Sequence, residues 1–295
     1  MAAAARPRRS MLYMPGSNAR ALEKGRSLPA DALILDLEDA VAPDAKTTAR
    51  KQIGEALAAG GYGGREIIVR VNGFDTPWGK DDVAALAASG AHALLLPKVE
   101  SAAMVLALEE AMVAAGAPKD LAIMCMMETP LGMLHAEEIA GASKRLSGFV
   151  MGTSDLVKDL QAAHTPLRLP VLTALSLCIL AARAFGLAIL DGVHLDLNDD
   201  EGFAAACVQG KELGFDGKTL IHPKTIAKAN EIFAPSAEEI AFSQRIIAAH
   251  AAAAKEGKGV VVVEGKLIET LHVANARRLV ALAEQIAALE AASAA

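Results

Sequence analysis

Short apolar runs recur along the first 221 residues of the chain, and helix-like stretches separate them. Most of the runs begin after Gly, Pro, Asp or Ser, and each has the length of one buried strand. Near-continuous apolar strands that alternate with helices are typical of a parallel sheet covered on both faces. We predict eight strands: Ser10–Met14, Ala32–Leu37, Glu66–Val71, Ala93–Leu96, Leu121–Met127, Gly148–Met151, Leu187–Leu190 and Lys218–Ile221.

The stretches between these strands are rich in Ala, which favours helices because it loses no side-chain entropy there. Examples are Ala19–Ser27, Lys46–Ala59, Asp81–Ala88 and Ser101–Ala114. Eight strand–helix units predict an α/β protein built on a (β/α)8 TIM barrel that spans residues 1–235. An open doubly wound sheet is the alternative, but no GxGxxG fingerprint follows an early strand.

Residues 236–295 continue beyond the predicted barrel. They contain a helical stretch Ala237–Lys255, a strand-like VVVVE run, a turn at Glu264-Gly265 and a last helix Ala274–Ala292. This segment is too long to be a frayed end. We therefore predict a C-terminal helical extension that acts as a lid or an oligomerisation arm.

Composition and charge exclude several classes of protein. With 53% hydrophobic and 22% charged residues, the chain is not intrinsically disordered. The 29 basic residues are outnumbered by 35 acidic ones, so no basic footprint of a nucleic-acid partner dominates. The N-terminus lacks the apolar core of a signal peptide, and no two of the three Cys form a CxxC motif. We expect a cytoplasmic protein.

The run from Val171 to Leu190 is about long enough to span a bilayer. However, Arg183 lies within it and Gly186 interrupts it, and a charged residue in mid-membrane is costly. We predict a buried helix followed by a short strand and no membrane partner.

Polar side chains follow the predicted strands at their C-terminal ends, where barrel enzymes carry their chemistry. Several carboxylates gather there with one Arg and one Lys, an arrangement that is costly unless a cation is bound. Carboxylates without a His/Cys cluster suit Mg²⁺, which takes one or two protein carboxylates and completes its shell with water and substrate oxygens. Glu128 and Asp155 are the candidate ligands. Their alternative role is helix N-capping, which Thr129 or Ser154 could also supply, and the pattern leaves both open.

Arg70 lies within an apolar strand, where an arginine must be paired or face a ligand. Its planar fork fits the carboxylate of a small acid. Alternatively, it pairs with Asp36 or Glu38 on the neighbouring strand, and these acids then hold Arg70 or accept hydrogen bonds from metal-bound water. Asp39 is grouped with them in this supporting role.

The chain resembles the HpcH/HpaI aldolase–citrate lyase beta-subunit family, and within it the CoA-thioester branch of citrate lyase beta subunits, malyl-CoA lyases and citramalyl-CoA lyases. The matching motifs cover nearly the whole chain in the family order. They are RRSMLYMPGSN, LILDLEDAV, IIVRVN, LLLPKVE, METPLG, GTSDL, LIHP and GKLIETLHV. The resemblance implies a (β/α)8 barrel with a C-terminal extension and Mg²⁺ held by Glu128 and Asp155. It also implies that Arg70 binds the carboxylate or carbonyl end of the acid.

Partner and subunit expectations follow from the same resemblance. It implies that the CoA moiety contacts Tyr13, Arg20 and Lys24, with help from the backbone near Ile221 and His222. Arg20 and Lys24 are four residues apart on one helix face, which by itself makes a phosphate-bearing ligand plausible. The resemblance further implies a homotrimer or a dimer of trimers, in which the C-terminal segment acts on the neighbouring subunit.

The C-terminal segment departs from the family pattern. Glu269 stands where the lyases carry Asp, and Leu271 replaces their Pro. The carboxylate is kept, but a shift of about 1 Å in a catalytic group can change a rate by ~100-fold. Either the site is rebuilt around Glu269 or the chemistry has drifted.

The resemblance therefore implies a Mg²⁺-dependent C–C lyase with Arg70 and Glu269 as catalytic residues. Its substrate would be a 3-hydroxyacyl-CoA of the malyl-CoA, methylmalyl-CoA or citramalyl-CoA type. The products would be glyoxylate or pyruvate, a small 2-oxo acid, and an acyl-CoA. One alternative is a malyl-CoA-type thioesterase that uses the same site, which the altered Glu269 segment favours. Another is a citrate lyase beta subunit that acts on an acyl-carrier-protein thioester.

Overall fold

The structure, a computed structural model, describes residues 6–255 and 257–294. Residues 1–5, part of the N-terminus in which no signal peptide is predicted, lie outside the described residues. Eight parallel strands follow one another in chain order, and β8 pairs with β1 to close a barrel. They are β1 Ser10–Pro15, β2 Ala32–Asp36, β3 Glu66–Arg70, β4 Ala93–Leu96, β5 Ala122–Met127, β6 Leu146–Met151, β7 Ala188–Asp191 and β8 Gly217–Leu220.

Helices connect the strands on the outside of the barrel. They are α1 Ala19–Gly25, α2 Lys46–Ala59, α3 Gly79–Leu86, α4 Ala102–Ala114, α5 Pro130–Leu134, α6 Ala136–Ala140, α7 Thr153–Asp159, α8 Leu172–Ala184, α9 Asp200–Leu213 and α10 Ile226–Phe233. The predicted (β/α)8 barrel is confirmed, and the open doubly wound sheet is wrong.

The strands are apolar on both faces because each face meets a different core. On β2, Leu33 and Leu35 point outward to the helix layer, whereas Ala32 and Ile34 point into the barrel. The interior is filled by Met11, Ile34, Ile68, Leu95 and other buried side chains, so the barrel is a packed core. The alternation continues to the strand ends, where Asp36 follows Ile34 and Arg70 follows Ile68 on the inward face. Register pairs Asp36 with Arg70, so the two side chains meet inside the barrel.

The apolar run from Val171 to Leu190 folds as a helix followed by a short strand, as the interruption at Gly186 predicted. Helix α8 ends at Ala184, Gly186 adopts a φ of +71°, and β7 begins at Ala188. Among the described residues, no helix combines the length and the apolar character needed to cross a bilayer.

The chain separates into two compact units, one from Arg8 to Phe233 and one that contains the chain from Ala234 onward. The second unit consists of α11 Ala237–Lys255, β9 Val261–Val263, β10 Lys266–Ile268 and α12 Thr270–Ala294. The two helices pack against each other, and the two strands form an antiparallel hairpin. Ile246, Val263, Ile268 and Val273 form its small core. The sequence predicted the first strand and the turn but missed β10, and the lid or arm role stays a prediction.

Candidate active site

Arg70 lies inside the barrel at the end of β3, and each of its three guanidinium nitrogens contacts a neighbouring side chain. Nε and Nη2 each donate to one oxygen of Asp36 at 2.6 Å, and Nη1 lies 2.9 Å from Oε2 of Glu38. Burial opposes the positive charge, but the hydrogen bonds and charge of Asp36 raise the pKa of Arg70 above its usual value. The pairing that the sequence offered as the alternative role of Arg70 is the one that the structure contains. Nη1 also donates to the thioether of Met126 at 3.6 Å, and the substrate-binding role of Arg70 stays a prediction.

Tyr13 lies beside Arg70 in the barrel interior. Cζ of Arg70 is 4.9 Å from the centroid of the Tyr13 ring, and the Tyr13 hydroxyl donates to Sδ of Met126 at 3.7 Å. Arg20 and Lys24 are instead exposed on α1. The structure thus places Tyr13 beside Arg70 and leaves the two basic side chains open to solvent, and the CoA contacts of all three stay predictions.

Glu38 joins the two cations at the strand ends. Its Oε1 lies 2.5 Å from Nζ of Lys98, and its Oε2 faces Arg70 and accepts the N–H of Asp39 at 2.8 Å. Burial raises the pKa of Glu38, but the charges of Arg70 and Lys98 outweigh it and hold the pKa below its usual value. Asp39 is 61% exposed, and partial burial and the charge of Glu38 raise its pKa. Asp36 and Glu38 contact Arg70 directly, and the supporting role of Asp36, Glu38 and Asp39 in the site stays a prediction.

Lys46 is a residue that the sequence did not single out. It begins α2 and is only 5% exposed, and its Nζ donates to the carbonyl oxygens of Leu37 at 2.7 Å and Glu38 at 2.8 Å. These two hydrogen bonds hold the main chain after β2 against the start of α2. Lysine at a helix start is normally solvated, so nothing in the pattern marked it.

Glu128 follows β5 and is 1% exposed. Burial raises its pKa to about 7, against the opposing effect of the Lys98 main-chain N–H, which donates to Oε1 at 2.8 Å. Gly152 makes this placement possible, because a Cβ at that position would lie 2.4 Å from Oε2 of Glu128. Asp155 lies in the first turn of α7 with its side chain 28% exposed.

Helix capping does not account for these two carboxylates. Thr129 caps α5, since its hydroxyl accepts the N–H of Gly132 at 3.1 Å. Gly152 is the N-cap of α7, and no side chain makes the cap hydrogen bond there. Next to Asp155, the buried hydroxyl oxygen of Ser154 lacks a hydrogen-bond partner within the described chain.

The donor set fits a hard cation. Across residues 6–255 and 257–294, no three or more His, Cys, Asp or Glu side chains are grouped as a complete metal site. Mg²⁺ needs only one or two protein carboxylates, and a buried carboxylate of raised pKa is one that a cation would stabilise in its charged form. Glu128 and Asp155 are thus the residues that could hold it.

The remaining candidates belong to other elements of the chain. His222 follows β8 and accepts the N–H of Lys224 at its Nδ1, 3.1 Å away, while Ile221 is 41% exposed. Glu269 belongs to the C-terminal unit, where it is exposed and its N–H donates to Nδ1 of His272 at 3.0 Å. The roles of His222, Ile221 and Glu269 stay predictions.

Comparison with known proteins identifies the family of this chain. The family model described as HpcH/HpaI aldolase/citrate lyase matches residues 9–223, which include every barrel strand. The chain belongs to the HpcH/HpaI aldolase/citrate lyase family. The resemblance inferred from the motifs is confirmed, and the protein is a member of an enzyme family.

Relatives of this chain include a named thioesterase and a named citrate lyase subunit. The chain is 52% identical to a (3S)-malyl-CoA thioesterase of Cereibacter sphaeroides, over 99% of this chain and 100% of that protein. It is 39% identical to the citrate lyase subunit beta of Escherichia coli, over 95% of this chain and 94% of that one. Among solved structures, CitE from Mycobacterium tuberculosis in complex with magnesium, acetoacetate and coenzyme A matches with a TM-score of 0.73 and 28% identity. That match covers 96% of this chain and all of the solved chain.

Proposed function

We propose that the protein is a Mg²⁺-dependent thioesterase that hydrolyses a malyl-CoA-type thioester to the free acid and CoA. The observation that carries the proposal is the 52% identity to a (3S)-malyl-CoA thioesterase over essentially both full lengths. The site supports it, since a buried arginine, two supporting acids and a buried carboxylate meet at the C-terminal ends of the strands. The lyase that the motifs implied is thereby moved to second place.

Arg70 and its neighbours would bind the acid end of the substrate. Asp36 accepts from Nε and from one N–H of Nη2, and with Glu38 at Nη1 it fixes the guanidinium plane. The second N–H of Nη2, and the N–H of Nη1 that meets the thioether of Met126, would then bind the substrate carboxylate. The Tyr13 hydroxyl, whose partner is the weakly accepting thioether of Met126, can turn to a substrate oxygen. On α1, Arg20 and Lys24 supply positive charge for the phosphates of CoA.

Glu128 and Asp155 would hold the Mg²⁺. When bound, Mg²⁺ supplies Lewis-acid polarisation of a substrate oxygen and fixes the orientation of the substrate. A CitE protein of this family was solved with magnesium and coenzyme A, which supports both ligands for the proposal.

Glu269 would supply the base, brought by the C-terminal segment of a neighbouring subunit in a homotrimer or a dimer of trimers. Its carboxylate takes a proton from water as the water oxygen bonds to the thioester carbon. The C–S bond then breaks, and Glu269 returns the proton to the CoA thiolate. Its longer side chain, compared with Asp, alters where this proton is removed.

A C–C lyase is the second candidate, because the chain is also 39% identical to citrate lyase subunit beta over nearly its whole length. Incubation with (3S)-malyl-CoA and Mg²⁺, followed by quantification of all products, separates the two. We expect free CoA and malate in equal amounts. Glyoxylate and acetyl-CoA in equal amounts would instead establish the lyase, and Glu128→Gln serves as the inactive control.

A citrate lyase beta subunit that acts on an acyl-carrier-protein thioester is the third possibility raised by the sequence. Turnover of CoA substrates by the isolated chain would count against it. No turnover of CoA thioesters, together with turnover of an acyl-carrier-protein thioester, would establish it.

A further inference from the structure

Lys98 has an unusual main-chain conformation at the candidate site. It lies two residues beyond β4 with a φ of +50°, in the left-handed region that a lysine seldom occupies. Non-glycine residues in this region persist only where the surroundings hold them, and they concentrate at functional sites. The next residue, Val99, is fixed to β5 because its N–H donates to the carbonyl oxygen of Met126 at 3.3 Å.

The left-handed turn aims the Lys98 N–H at Glu128. The distance from this nitrogen to Oε1 of Glu128 is 2.8 Å, and no other donor to the Glu128 carboxylate occurs in the described part of the chain. Glu128 is buried, so this single hydrogen bond sets the direction in which the carboxylate points.

The Lys98 side chain acts on the other half of the site. Its Nζ lies 2.5 Å from Oε1 of Glu38, whose second oxygen holds Nη1 of Arg70 at 2.9 Å. The side chain is 45% exposed, so the ammonium lies at the solvent-facing rim of the cluster. One residue therefore contacts both the candidate metal ligand and the partner of the acid-binding arginine.

We propose that Lys98 is a positioning residue that fixes the orientation of the metal-binding carboxylate of Glu128 relative to the acid-binding guanidinium of Arg70. Its main-chain N–H orients Glu128, and its ammonium holds Glu38 against Arg70. This inference rests on the proposed function, since it assigns Glu128 to Mg²⁺ and Arg70 to the substrate acid.

Electrostatics alone makes a different prediction. Lys98 places a positive charge close to the candidate cation site, so its removal would strengthen Mg²⁺ binding and leave turnover unaffected if charge were its whole contribution. A positioning role predicts that loss of the ammonium lowers kcat, because Glu38 is then free to leave Nη1 of Arg70. It also predicts that Mg²⁺ affinity follows the main-chain conformation and not the charge.

Four variants separate the two halves of the role. Lys98→Gly and Lys98→Val both remove the ammonium, but only glycine adopts the left-handed region without strain. Lys98→Met keeps the length of the side chain without its charge, and Lys98→Arg keeps a cation. Lys51→Met is the control, because Lys51 is an α2 lysine whose side chain is 78% exposed.

Mg²⁺ affinity is measured by calorimetry on the substrate-free protein, and kcat and KM with malyl-CoA. We expect Lys98→Gly and Lys98→Met to lose at least about ten-fold in kcat with Mg²⁺ affinity within about two-fold of wild type. Lys98→Val should lose about ten-fold in Mg²⁺ affinity as well. Lys98→Arg should recover most of the kcat, and Lys51→Met should match wild type in both measurements.

Wild-type kcat in Lys98→Met would overturn the side-chain role, and equal Mg²⁺ affinity in the Gly and Val variants would overturn the main-chain role. If Lys98→Val fails to fold, Lys98→Thr replaces it, because threonine is also β-branched and disfavours the left-handed region. Failure of the proposed function is seen separately, in the products of the wild-type protein. Hydrolysis and C–C cleavage would both use this site. The kcat values and Mg²⁺ affinities of the Lys98 variants can therefore be compared whichever reaction the protein catalyses.

Discussion

Arg70 is held by two carboxylates, Asp36 at Nε and Nη2 and Glu38 at Nη1. Lysine at position 70 would keep the charge but lose the fork that grips Asp36 in two places. We expect Arg70→Lys to lower kcat/KM by about 100-fold, since the remaining ammonium is no longer fixed in direction. Steady-state kinetics with malyl-CoA measures the effect. Arg278→Lys, at an exposed arginine of α12, is the matched control, and near-normal kcat/KM in Arg70→Lys would remove Arg70 from the site.

The two candidate metal ligands differ in burial, which separates their effects on stability. Glu128→Gln keeps the shape of a 1% exposed side chain without its charge, and Asp155→Asn alters a side chain that is 28% exposed. We expect both to abolish Mg²⁺-dependent turnover and calorimetric Mg²⁺ binding, while Tm in the absence of Mg²⁺ does not fall. Full Mg²⁺-dependent activity in either variant would refute the assignment of that residue.

Between elements, a buried ionic cluster fixes the loop after α7 to the barrel. Arg168, with a φ of +53°, directs Nη1 to both oxygens of Asp191 at 2.6 and 2.8 Å, and Lys218 of β8 lies 2.8 Å from the same carboxylate. Asp191 is 0% and Lys218 1% exposed, so removal of the carboxylate leaves a buried ammonium unpaired.

We expect Asp191→Ala to lower the free energy of unfolding by about 3–5 kcal/mol, the usual effect of breaking a buried ion pair. Urea unfolding followed by circular dichroism measures it. Glu231→Ala breaks an exposed pair with Lys228 on α10 and should change stability by less than about 1 kcal/mol. Equal effects of the two substitutions would mean that the cluster around Asp191 is already hydrated.

The apolar pattern predicted the barrel strands well because these strands are buried on both faces and appear as uniform runs. Each predicted strand end lies within two residues of the observed one. The helices α5 and α7, with five and seven residues, are too short for a helical period to show.

At the site, chain position predicted which side chains gather at the strand ends but not which atoms pair. The fork of Arg70 on Asp36 depends on the register between β2 and β3. The inward placement of Tyr13 and the left-handed turn at Lys98 likewise depend on the closed barrel, and no local pattern encodes them.

For the whole molecule, the barrel unit holds the Arg70 cluster while Glu269 belongs to the C-terminal unit. Glu269 lies between β10 and α12, exposed and held by a hydrogen bond from its own N–H to His272. In a symmetric oligomer, a segment that acts on the next subunit makes each active site from two chains. Two variants that are each inactive can therefore complement each other in a mixed oligomer, which a site within one chain does not allow.

Two inactive variants should restore activity when they are mixed. Glu128→Gln disables the barrel but keeps Glu269, and Glu269→Gln disables the tail but keeps the barrel. After denaturation and joint refolding at equal amounts, random assembly gives an intact barrel beside an intact tail at about one quarter of the sites. We therefore expect about one quarter of wild-type activity on malyl-CoA, and none from either variant refolded alone. Inactive mixtures whose mixed assembly is verified by differential affinity tags would place Glu269 in its own subunit's site or outside catalysis. Glu284→Gln, an exposed acid of α12, is the control for the tail and should keep wild-type activity by itself.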